Sequence, residues 1–592
     1  MIKYIINNTV LPIVAFIINN TPSFIWAIIE FIIDICFFWV KHLYHIYYRK
    51  DPLKDHIKDL TNVSNYNEWK EIAFEIDKLT NMDLWRQNFI SKHYDYVLIN
   101  ERIKLLVEAR ENQDFQQIMS LLRSGLIRNF GGIAQKRLYL KSYMGTKFKI
   151  EEYINEILNC LEFLNESLSS SNGDDYVMNS KQLKLDFFHD ARQSFGSTAL
   201  LLQGGSLFGL CHLGVVKALY FRRLLPRVIG GSAVGAAVAS LVCTLTDDEL
   251  IPILVNIEEL MKNIDVLNHE IDERYGNVIE NVVKKGYSQD ILLFLKFVRD
   301  TIGDVTFEEA YMKTGKILNI VIHPTNRSVP SLLNYITAPN VIIWTAIYAS
   351  IGTGVLSDDI ALYVKDFNNE IVLQTPDIDV KFLKPQDVSY QTSYFQSNIS
   401  NNIQHQSPYT KLTELFNVNH FVISLARPYL APLISNDLKH YHASYGKVKY
   451  DKKKNCYDGE MSKKDIEKYT KDTGFNFMKR LKNIIGMEIQ HRIVVLNKLG
   501  LLTEVMKRLF IDEKPTQMQY LASIREVTIV PEVRYLVKDF GRVFDVHRTM
   551  ENIPYWVLVG ERSVWPLFPL LWTRCAIEFA LDDLYNLHRK RS

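Results

Sequence analysis

RVIGGSAVGAAVAS, Arg227 to Ser240, is the stretch that decides the fold of this chain. Ahead of its turn, LLPRVIG (Leu224 to Gly230) reads as a buried strand, and beyond it AAVASLVC (Ala236 to Cys243) reads as a helix lined with small residues. Between them GSAVG leaves no space for a gradual bend, so strand must pass to helix in one sharp turn. That is the layout of a nucleophile elbow, which presents a single side chain at the head of a sheet. Gly231 and Gly235 take the two glycine places of a GxSxG elbow, and the middle place falls on Ala233. A methyl group has neither lone pair nor exchangeable proton, so it cannot attack a carbonyl. Ser232 is a poor substitute. A frame centred on it begins at Gly230 and puts Val234 where the turn requires glycine.

Working upstream, TALLLQ (Thr198 to Gln203) is a short apolar run of the kind found in buried parallel strands, and it stops at GGSLFG (Gly204 to Gly209). LCHLGVVKAL follows with helical spacing. Strand, glycine-rich turn and helix together bring unpaired backbone N–H groups to a helix N-terminus, where negative charge is favoured. Gly204, Gly205, Ser206 and Gly209 are therefore candidates for an oxyanion hole, glycine allowing a substrate oxygen to approach the backbone. GGSLFG is not followed by GK[ST] and is not GxGxxG, so nucleotide-binding loops are poor matches.

Two such turns in succession are far more specific than one. The sequence resembles the patatin-like lipases, and in more detail the yeast lipid-droplet triacylglycerol lipases. The matching stretches are Leu200 to Leu219, Leu224 to Leu241, Ala338 to Asp359 and Ser407 to Pro432, with further likeness in the N-terminal aromatic hairpin and in NIPYWVLVGERSVWP. The resemblance implies an α/β fold, a three-layer patatin-like domain with a parallel-type sheet, flanked by largely helical N- and C-terminal regions. It implies hydrolysis of acyl esters, triacylglycerol first and phospholipid second, with no cofactor and no metal, by a Ser–Asp dyad. The family's serine falls on Ala233. Its Asp belongs to a DG[GAS] motif, and this chain has SNISNNIQHQSP (Ser397 to Pro408) in that place. Asp358, Asp359 and Asp387 are nearby acids outside the motif and read as solvated loop carboxylates. The dyad needs no histidine, so His212 reads as a helix-packing residue. An alanine at position 233 fits two histories: an active lipase whose nucleophile was replaced, or natural divergence to a pseudoenzyme that keeps a lipid-binding scaffold. An acyltransferase reading requires H-x4-D, which none of the 15 histidines supplies.

The rest of the chain bounds these readings. With 592 residues, 47% of them hydrophobic, it holds more than one folded unit, and a formal net charge of +2 with mixed signs gives no reason to expect nucleic acid. Six scattered cysteines form no CxxC pair, which indicates neither disulfide framework nor zinc site and suits a reducing compartment. Near the start, VLPIVAFII and FIWAIIEFIIDICFFWV flank the turn-forming Asn19 to Pro22. The second run reaches about 25 Å, short of a ~30 Å hydrocarbon core. It also carries Glu30 and Asp34, costly at mid-bilayer. Residues 1–50 thus read as a hairpin anchor entering one leaflet, a buried hairpin being the alternative. A helical region over 51–194, the lipase domain over 195–432, a polar Lys-rich linker over 433–475 and a helical, aromatic region over 476–592 complete the expected order. The expected location is the cytosolic face of a lipid droplet, with the endoplasmic reticulum membrane as a second site.

Overall fold

A computed structural model describes residues 32, 34–40, 52–167, 174–267, 287–325, 329–352, 360–374, 380–382, 408–427, 450–451, 456–457, 488, 492, 495–496, 526–531, 542 and 549–591. Most of the expected N-terminal hairpin, the Lys-rich linker, and Asp358, Asp359 and Asp387 lie outside them, as does Ser397 to Ser407.

Contacts divide the chain into Met1–Ile72 and Ala73–Ser592. In the first unit, residues 34–40 are helical with Phe37, Phe38, Trp39 and Val40 exposed, and α1 spans Pro52–Leu60.

The second unit begins with helices. Among them α2 (Tyr96–Glu111) and α3 (Phe115–Gly125) each start on an Asp side chain, Asp95 or Asp114, that accepts an N–H of the first turn. α4 (Phe148–Ser167) packs on α2, and α5 (Asp174–Phe195) leads into the sheet.

The sheet is built from β1 (Ser197–Gln203), β2 (Val228–Gly231), β3 (Ile317–Val321), β4 (Leu332–Leu333), β5 (Val418–Leu425) and β6 (Glu526–Ile529). Their order across the sheet is β6-β5-β1-β2-β3-β4, parallel except for β4. Among the helices between them are α6 (Cys211–Phe221), α7 (Val234–Thr244), α8 (Gln289–Ile302) and α9 (Ile343–Ile351); α10 (Thr549–Val564) and α11 (Phe568–Arg591) follow β6. Thr198 to Leu202 are all buried, as a strand covered on both faces must be. Ala199 and Leu201 belong to a core with Leu412 and Phe421, whereas Leu202 meets α7 at Gly235. This alternation makes a mostly parallel α/β sheet sandwiched by helices.

Two features join distant parts of the sequence. Strand β6 comes from beyond Pro432, where the sequence reading ended the lipase domain, and pairs in parallel with β5. At the N-terminal end of β1, Arg128 donates to the Arg574 carbonyl (2.6 Å), Glu578 (3.1 Å), Thr198 Oγ1 (3.2 Å), the Gly196 carbonyl (3.2 Å) and Asn419 Oδ1 (3.1 Å). Glu578 also accepts the Thr198 N–H at 2.6 Å. Burial pushes the Glu578 carboxyl up, opposed by Arg128 beside it. Such a buried, paired charge cluster costs several kcal/mol to break from one side. It fastens the helical region, the sheet and α11 together at the end of the sheet away from the glycine-rich turn.

The C-terminal aromatic segments, which suit a membrane interface by composition, are packed inside the protein. Trp556 and Trp565 are buried. A Cβ on Gly560 would lie 2.1 Å from the Cys211 carbonyl, and one on Gly214 would lie 1.9 Å from that of Val557. The two glycines therefore let α10 and α6 touch backbone to backbone, and Lys217–Glu561 (2.8 Å) closes the edge of that contact.

Candidate active site

The site forms where β1 and β2 end side by side, with Leu202 opposite Gly231. Parallel strands direct their C-terminal ends to one edge, the edge at which α/β proteins collect ligand-binding loops.

From β2 the chain passes through Ser232 and Ala233 into α7. Ala233 is at the apex, with φ 52° and ψ −120°, a combination that costs an L-residue about 1–3 kcal/mol. The conformation is imposed from several sides. Ala233 N–H donates to Ser350 Oγ (2.9 Å), and Ser350 O–H donates to the Val321 carbonyl (2.6 Å). Ser232 N–H donates to the Leu202 carbonyl (3.0 Å), and Gly235 N–H to the Gly204 carbonyl (3.3 Å). Gly231 and Gly235 stand two residues on either side of the apex. A Cβ on Gly231 would be 2.5 Å from the Ala236 nitrogen, and one on Gly235 would be 2.1 Å from the Leu202 carbonyl oxygen. The turn is thus as tight as non-bonded contacts allow, and a methyl group occupies its tip.

Ser232 points elsewhere. Its Oγ accepts the Gly204 N–H (3.3 Å), linking elbow and glycine-rich turn. Gly204 and Gly205 have φ of 71° and 99°, and a Cβ on Gly205 would be 2.6 Å from Gly209 Cα. Gly209 in turn packs against the Val234 side chain, so turn and elbow form one surface. Among the described residues, the N–H groups of Gly205 and Ser206 have no bonding partner, whereas that of Gly204 is held by Ser232. The turn therefore presents two free backbone donors beside an apex that carries no nucleophile.

His212 is fully buried in α6. Its Nδ1 accepts from Ser424 Oγ (2.9 Å) and its Nε2–H donates to the Gln203 carbonyl (3.3 Å). Burial pulls its pKa down to about 4, so the ring is neutral at pH 7. It joins α6 to β1 and β5.

Three residues beside the site carry no local sequence signal. Ser350 supports Ala233 from 117 positions away. Ser288 N–H donates to the Ser206 carbonyl (3.4 Å), and the Trp556 ring lies 5.0 Å from that of Phe208 in the turn. Each arrives from a distant helix, and only the fold brings it there. Among the described residues, no group of three or more His, Cys, Asp and Glu side chains is gathered as a metal would require.

Comparison with known proteins agrees with this architecture. Residues 200–356 match the patatin-like phospholipase family, and residues 46–193 match a domain of unknown function, DUF3336. Over its whole length the chain is 36% identical to triacylglycerol lipase 3 of Saccharomyces cerevisiae, covering 98% of that protein. It is 33% identical to triacylglycerol lipase ptl1 of Schizosaccharomyces pombe, over 90% of this chain and 85% of that one. Triacylglycerol lipase SDP1L of Arabidopsis thaliana is 27% identical over 89% of this chain and 58% of its own length.

Proposed function

The chain belongs to the patatin-like phospholipase family, and on that premise we propose that it is a lipid-droplet protein of the triacylglycerol lipase type whose site binds acyl esters without cleaving them. The observation that carries this reading is the alanine at the strained apex of an otherwise complete elbow. A relative with serine there would attack the ester carbonyl carbon while a carboxylate takes the hydroxyl proton. The N–H groups of Gly205 and Ser206 would hold the resulting oxyanion. The alkoxide leaving group then departs with the proton, and water releases the acyl group by the same steps reversed. Here the first step has no nucleophile. Binding does not depend on it, since each buried CH₂ of an acyl chain contributes about 0.8 kcal/mol.

Triacylglycerol is the first substrate class and phospholipid the second. The surface is the cytosolic monolayer of the droplet, with the endoplasmic reticulum membrane as the alternative; the exposed Phe37, Phe38, Trp39 and Val40 support attachment through the N-terminus. Purified protein should bind trioleoylglycerol emulsion and release no fatty acid above background, and Ala233→Ser should release it if only the nucleophile is missing. Absence of binding by the purified chain would end this reading.

A further inference from the structure

Two buried polar groups beside the glycine-rich turn are left without a hydrogen-bond partner. Ser288 is 1% exposed and caps α8, yet its hydroxyl bonds nothing, including the N–H groups of its own helix. A serine at that position ordinarily turns its oxygen onto the second or third N–H of the helix. Trp556 is also 1% exposed, and its indole N–H has no acceptor, although a buried tryptophan usually finds one. Buried polar atoms of this kind are uncommon in folded proteins because they lose water and gain nothing in return.

Both are fixed to the same turn. Ser288 is held by its backbone bond to Ser206, and Trp556 by its edge contact with Phe208. Helix α8 packs against both α7 and α10, so elbow helix, Ser288 and Trp556 share one neighbourhood. The chemistry of the missing partner follows from the atoms. Indole N–H is donor-only and a serine hydroxyl donates readily, so the partner must be an acceptor. Asp290 follows Ser288 in the first turn of α8 and is buried, so the chain next to Ser288 supplies an acidic residue and not the basic one a phosphate calls for. A neutral carbonyl oxygen satisfies both conditions.

We propose that Ser288 Oγ and Trp556 Nε1 form a second polar subsite, donating to the carbonyl oxygens of the esters not held at the glycine-rich turn. The site then selects neutral lipids carrying two or three esters over lipids with one. This rests on the ester-binding reading above, which supplies the first carbonyl.

The test uses the full chain, Ser288→Ala and Trp556→Phe, the latter keeping an aromatic ring while removing the N–H. Each is titrated with trioleoylglycerol and with a 1-oleoyl-2,3-dialkyl ether analogue that retains one carbonyl. The unsubstituted protein should bind the triester more tightly. Each variant should lose roughly tenfold in affinity for the triester, the loss of about one hydrogen bond, and none for the monoester. The thermal midpoint of unliganded Ser288→Ala should stay level or rise, because no bond is removed. Equal losses on both probes, or a lower midpoint for unliganded Ser288→Ala, would assign these groups to structure and overturn the subsite. If the unsubstituted chain binds both probes equally, the subsite falls while ester binding stands; if it binds neither, both fall.

Discussion

Replacing His212 by Gln should remove a defined part of the acid sensitivity of this protein. In the folded state burial holds the His212 pKa near 4, against 6.5 for the free side chain. A depressed folded pKa means that the unfolded chain binds the proton more readily, so stability is present above about 6.5 and is lost as pH falls towards 4. Between pH 7.5 and 4.5, linkage with those two values gives a loss of roughly 2–3 kcal/mol from this one residue. His420, also buried and depressed, and the carboxylates contribute in both proteins and cancel in the difference. Glutamine can accept from Ser424 and donate to the Gln203 carbonyl, so both bonds have a replacement. Urea denaturation followed by far-UV circular dichroism at the two pH values provides the double difference. Parallel losses in the two proteins would mean that His212 titrates freely in the fold, and its assignment as a neutral core residue would fail.

Ser350→Ala should cost about 2 kcal/mol, since it strands the buried Ala233 N–H and the Val321 carbonyl, and in an Ala233→Ser background it should abolish labelling by fluorophosphonate. A thermal midpoint and a gel readout check these together. Gly560→Val should destabilise by roughly 3 kcal/mol or more by forcing α10 off α6, visible as a fall in thermal midpoint; an unchanged midpoint would refute the backbone contact. Removing Met1 to Val40 should release the protein from droplets into the soluble fraction, and a truncated chain that stayed on droplets would place the anchor elsewhere.

How far the sequence could be read depended on the range of the interaction. The two glycine turns are legible because their demands are local. Gly231 and Gly235 are spaced by the turn itself, and the small residues of α7 repeat along one short helix. The continuous apolar run of β1 likewise declares a strand buried on both faces. Long-range contacts leave no such periodic trace. Ser350, Ser288 and Trp556 reach the site from separate helices, and Arg128 meets Glu578 across 450 positions. Strand β6 is only EVTI, too short for a pattern, and it is recognised by its pairing with β5. Composition alone leaves the C-terminal aromatics open, because YWVLVG and WPLFPLLWT suit an interface, a core or both. The packing of α10 on α6 becomes visible only in the fold, where Gly560 admits α6 at contact distance.

The central claim is that Ala233 occupies the nucleophile place of a preserved elbow, and active-site labelling tests it most directly. The chain with Ala233 and its Ala233→Ser counterpart are treated with a fluorophosphonate, and the modified peptide is located by mass spectrometry. The account predicts no label on the first protein and label on residue 233 of the second. Label on Ser232 of the first protein would contradict it, because Ser232 Oγ would then have to leave the Gly204 N–H and act from outside the apex.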